Sequence, residues 1–225
     1  MDRTVIRYSH CLREIYCFSE DNNVSGSFYG EAYGNKDTKR KTCPICSGPL
    51  KFSLLDAPRI VPCPFSNGHR VPCAFIIGSV HGPLFLGEWS DTELHVGISN
   101  SEGLVYNYTL SGIRTEEQGW EQCICIRLVP PCREDLTEVW DKELQQFSSL
   151  PMWDPDRFNE EREFGSCCYG FALTFINHMR SLEQKASLSR DDFTRMYVLP
   201  HMKTASKYLR VYQNILQHGF HIAGT

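Results

Sequence analysis

The sequence predicts an α+β protein in two parts: a small Cys/His-rich unit at residues 1–76 and a larger α+β unit at 77–225 with an antiparallel sheet packed on helices. Three observations carry this. Six of the 11 cysteines fall before residue 77, among turn signals such as GNKD, CPIC and NGH. Short strand-like runs come next, and helical periodicity takes over towards the C-terminus.

Taken in order, the segment 19–41 (SEDNNVSGSFYGEAYGNKDTKRK) is polar and Gly-rich and reads as a flexible loop. Its basic cluster KDTKRK reads as solvated. ELHVGIS at 93–99, LVYNYTL at 104–110 and CICIRLV at 123–129 read as strands, and the tight SNSEG link makes the first two an antiparallel hairpin. Asp135 followed by Glu138 suggests a capping box, after which Leu136, Trp140, Leu144 and Phe147 share a helical face. A second helix starts near Ser166. A third spans about His201 to Gln217, with Leu209, Tyr212, Ile215 and Leu216 on its buried side and Gly219 as the stop.

Composition narrows the function classes. With 41% hydrophobic and 22% charged residues the chain is neither disordered nor fibrous. A net charge of −4 lacks the electrostatic footprint of a nucleic-acid binder, so no nucleic-acid partner is expected. The N-terminus shows no signal pattern, and no window approaches the ~18 apolar residues of a membrane span. An intracellular protein, cytoplasmic or nuclear, is expected. In a reducing compartment its cysteines read as metal ligands, reactive thiols or core residues rather than as disulfides.

Cys43 and Cys46 form a CPIC turn, which presents two thiolates to one tetrahedral ion. His69 and Cys73 in NGHRVPC can supply the other two ligands, giving a closed Cys₃His structural zinc site that would staple a small unit. Cys63, Cys11 and His10 are rival ligands.

In FGSCCYGFALTFIN, with Ser166 as N-cap, Cys168, Phe171, Ala172, Phe175, Ile176 and Met179 form one buried stripe. Cys168 then lies in the first helical turn. It is either a small core residue or a thiolate favoured by the positive helix end. His95, opening LHVGIS, is the candidate base.

The order HVGISNSEGLVYNYTLSGI then CYGFALTFIN resembles circularly permuted papain-like folds, the lecithin:retinol acyltransferase-like and PPPDE peptidase families. The resemblance selects Cys168 over Cys167, because an aromatic (Phe171) follows it three positions later. It also makes Asn107 the polar residue that orients His95. The asparagine usual before the cysteine is Cys167 here. More of the chain, through HC, CPIC, NGH, LHVGISN, VYNY, GW, WDKEL and CYGFALTFIN, resembles the vertebrate makorin opposite-strand protein family, a resemblance that implies no particular activity.

Two functions are thus expected. The first is a cysteine hydrolase or acyltransferase of peptidase, isopeptidase or thioesterase class, acting on a protein or acyl substrate through Cys168, His95 and Asn107. The second is a non-catalytic, zinc-stabilised interaction module on the same fold.

Overall fold

The structure is a computed structural model and describes residues 3–19, 42–53, 57–79, 94–159 and 167–224. The expected flexible loop lies outside these residues except for Ser19, and so does Ser166. Nine strands and four α-helices are described: β1 Val5–His10, β2 Arg13–Phe18, β3 Arg59–Ile60, β4 Ala74–Ser79, β5 Leu94–Ser99, β6 Val105–Thr109, β7 Gly112–Glu116, β8 Ile124–Arg127 and β9 His221–Ile222, with α1 Glu134–Ser148, α2 Cys168–Leu182, α3 Arg190–Phe193 and α4 Leu199–His218. The protein is α+β, and its described sheets are antiparallel.

Two compact units emerge, 1–63 together with 208–225, and 64–207. The first contains a four-stranded sheet in the order β3-β1-β2-β9. Tyr8, Ile15 and Cys43 are buried in it against Leu50, Phe52 and Phe220. β1 and β2 meet in a two-residue turn, with His10 paired to Arg13 across it. From Tyr208 onward α4 belongs to this unit, where Tyr212 packs edge-on against Phe18 at 4.8 Å. Gly219 ends the helix at φ +82°, its N–H donating to the Ile215 carbonyl. Leu209, Tyr212 and Ile215 are buried as the periodicity predicts, whereas Leu216 is exposed.

The second unit is built on a five-stranded sheet in the order β7-β6-β5-β4-β8. Phe75, Ile77, Val96, Ile98, Tyr108, Ile124 and Ile126 point to one face and meet Phe171, Ala172 and Phe175 of α2, together with Trp140 and Leu144 of α1. The i, i+3, i+4 stripe read from the sequence is therefore the seam that α2 lays on the sheet. Ala74, Ile76, Val105 and Cys123 gather on the other face around Trp120. That indole lies on a glycine floor: a Cβ at Gly78 or Gly97 would come within 3.3 Å of its ring.

One expected cap is not made. Asp135 lies inside the first turn of α1, where it pairs with Arg133 at 2.8 Å, so no capping box forms. Helix α1 is held instead by Trp140 Nε1 donating to the Ser99 carbonyl at 3.0 Å and by Asp141 accepting the Ser101 backbone N–H at 2.8 Å.

Candidate metal centre and the histidine face of the sheet

The turn between β1 and β2 is Cys11-Leu12, and both residues occupy the left-handed region, at φ 53° and 59°. A two-residue hairpin turn of this hand demands positive φ at both positions and ordinarily takes Asn-Gly. The turn delivers His10 and Cys11 to one place. Opposite them, the Cys43 N–H donates to the Gly48 carbonyl at 2.8 Å and the Ser47 N–H to the Cys43 carbonyl at 2.9 Å, folding CPIC into a knuckle.

His10, Cys11, Cys43 and Cys46 each offer a ligand atom, and these atoms all lie within 4.8 Å of one another. His10 Nδ1 is 3.1 Å from Cys11 Sγ and 3.8 Å from Cys46 Sγ. Donors bound tetrahedrally to a common zinc at about 2.0–2.3 Å stand roughly 3.5–3.8 Å apart, a range that the separations of 3.1 Å, 3.8 Å and at most 4.8 Å bracket. The donor set, three sulfurs and an imidazole, fits the ion. Burial raises the Cys43 thiol, but the N–H groups of Cys46 and Ile45 aimed at its sulfur outweigh that and lower it overall. Cys11 is pushed up to about 11, first by hydrogen bonding with Cys46 and then by burial.

Half of the predicted ligand set is in this cluster, Cys43 and Cys46. The other half is not, and the rivals His10 and Cys11 take its place. His69 and Cys73 belong to the second unit and are engaged within it. His69 Nδ1 donates to the Gly103 carbonyl at 2.7 Å, fastening the β5–β6 turn. Cys73 is 2% exposed, and burial, followed by the charge of Asp141, pushes its thiol up to about 12. Its side chain packs in the core of the second unit beside Phe75 and Ile126. Cys63 is exposed and outside the cluster.

His95 and Asn107 are brought together. His95 Nε2 donates to Asn107 Oδ1 at 2.9 Å, while the Asn107 amide donates to Glu116 Oε2 at 3.0 Å. The same carboxylate oxygen accepts Trp120 Nε1 at 2.7 Å, and the imidazole lies 5.8 Å from the indole. The carboxylate thus sets the Asn107 amide orientation. The amide in turn fixes the His95 proton on Nε2 and leaves Nδ1 as the acceptor nitrogen.

Cys168 comes from α2. Across β4 and β5 the register sets Phe75 against Ile98 and Ile77 against Val96, all on the α2 face, and Gly78 against His95 on the other. Asn107 shares a face with Val105, two residues away on β6, and so also lies on the Trp120 side. Cys168 opens α2 with its side chain packed on the α2-side core. The strand register thus sets His95 on the sheet face opposite the one on which α2 packs. Glu116 and Trp120 complete the polar network. Sequence reasoning missed Glu116, though its alternation with Arg114 on a strand was legible.

Three comparisons place the chain among known proteins. The family described as DUF4796 C-terminal matches residues 58–215, which lie after the metal cluster. The human MKRN2 opposite strand protein is 35% identical over 222 residues, covering 98% of this chain and 89% of that protein. No solved structure matches. Among the described residues, no helix is long and apolar enough to cross a membrane.

Proposed function

The chain belongs to the DUF4796 family, and on that premise we propose that it acts as a zinc-stabilised binding module rather than as a thiol enzyme. The observation that carries this reading is the convergence of His10, Cys11, Cys43 and Cys46. Four protein ligands close a tetrahedral shell and leave no position for a substrate or a reacting water, which makes the zinc structural. Its role is to tie the β1–β2 turn to the CPIC knuckle beside the cluster of Tyr8, Ile15 and Cys43. Leu12 and Ile45, at the tips of the two turns, are exposed and give a protein partner apolar contact points. A thiolate-rich site of this kind suits a reducing, intracellular setting.

Hydrolysis or acyl transfer through Cys168, His95 and Asn107 is the weaker reading, because a general base must reach the proton it removes. The test is elemental analysis of protein purified without chelator, together with brief trapping by a thiol-reactive acyl probe. About one zinc per chain is expected, falling to near zero in Cys46→Ser and unchanged in Cys73→Ala. Absence of metal in the parent would sink the module reading. Stoichiometric, His95-dependent acylation of Cys168 would restore the enzyme reading.

A further inference from the structure

We propose that the groove in the second unit between α1, α2 and the turn from α3 into α4 binds a short amphipathic carboxylate. Its floor is apolar, formed by Trp140, Ile176, Met179 and Phe193. One wall is a π-helical turn, Thr194–Val198, whose Tyr197 stacks on Phe193 with ring centres 5.1 Å apart and planes at 29°. Such wide turns interrupt the regular helical ladder and recur at ligand sites.

The rim supplies the charge argument. Lys185 and Glu183 satisfy each other at 2.8 Å, and Arg133 also approaches Glu183 at 3.9 Å. Arg180 spends its Nε–H on the Ala186 carbonyl at 2.8 Å. Arg127, exposed at the end of β8, and Arg180 also line the groove, and among the described residues neither has a carboxylate partner. Two guanidinium groups without a carboxylate partner among the described residues, over an apolar floor, complement one anionic head on one apolar tail. The tail is short because the floor residues are already 0–6% exposed. This site is independent of the metal cluster.

The test uses full-length protein carrying ¹³C-methyl methionine, with the Met179 signal assigned through Met179→Leu. Octanoate is titrated in, with octanol and octylamine as matched neutral and cationic probes. A saturable Met179 shift is expected with octanoate, at least about tenfold weaker with the other two probes, since each lacks the charge-assisted contact. Arg127→Gln, at an exposed position and verified as folded by circular dichroism, weakens octanoate about tenfold and leaves octanol unchanged. Three results would overturn the proposal: no saturable shift with octanoate, equal binding of all three probes, or unaltered octanoate affinity in Arg127→Gln.

Discussion

Leu12 is fully exposed and still occupies the left-handed region at φ 59°, as does Cys11 at 53°. Each such residue costs roughly 1–2 kcal/mol relative to glycine, so the turn is chosen for what it presents rather than for its own stability. Leu12→Gly should therefore stabilise the protein by about 1 kcal/mol and, because folding and metal binding are coupled, tighten apparent zinc affinity by at most about fivefold, as read from thermal melts and chelator competition. Cys11→Asn with Leu12→Gly should form a better hairpin turn and bind zinc far more weakly. Equal zinc affinity in the double variant would remove Cys11 from the ligand set. CPIC was legible in the sequence because both of its thiols lie within one local turn. His10 and Cys11 were legible only as rivals, because what brings them to the knuckle is strand pairing and not spacing along the chain.

Helical stripes were the most readable elements: Phe171, Ala172, Phe175, Ile176 and Met179 are all buried as their 3.6-residue period requires. The strand carried an equally clear signal that points away from the dyad. In LHVGIS the apolar pair Val96 and Ile98 must face the core beneath α2, and period 2 then sends His95, Gly97 and Ser99 to the other side. On that side Glu116 accepts from both Asn107 and Trp120. Glu116→Leu strands two donors in a buried setting and should cost about 2–4 kcal/mol in urea unfolding, with a shifted Trp120 emission. A change below about 0.5 kcal/mol would mean that water reaches both donors. The sheet thiols add a pH dependence. Burial, the leading cause in each case, holds Cys73, Cys123 and Cys125 at about 12, against an ordinary thiol value of about 9. The unfolded chain therefore loses these protons first. Their contribution is fully present below pH ~9 and is lost as pH rises from there towards 12, so the second unit should unfold on alkaline titration, and Cys73→Ala should move that midpoint upward. An unmoved midpoint would place the alkaline transition elsewhere.

At the scale of the whole molecule, the chain returns to its beginning. Residues 208–225 belong to the same unit as 1–63, with β9 paired to β2 through Ile15–Ile222 and Tyr16–His221. The sequence offered no cue to this closure, since a two-residue strand such as β9 has no periodicity to read, and a pairing between chain ends is specified only by the folded sheet. Cysteine density likewise suggested an edge near residue 76, while the contacts divide at 63 and 64, because Ser66 already pairs with Cys123 and the second sheet's β4 opens at Ala74. Because each unit has its own buried core, and only the first contains the metal cluster, metal removal should act on one and spare the other. Structural zinc contributes on the order of 10 kcal/mol in small domains, comparable to the whole stability of a typical domain, so the residues around Tyr8, Ile15 and Cys43 lose a large share of their support without it. Adding a strong zinc chelator should thus abolish hydrogen-exchange protection in β1, β2 and β9 together, while β4, β5 and β6 keep theirs. Deleting residues 219–225, which removes β9 but no ligand, should weaken zinc retention, since binding and folding of this unit are coupled. Protection lost uniformly across both sheets would show one cooperative unit. Protection kept in β1 and β2 after chelation would show that the hairpin stands without its metal.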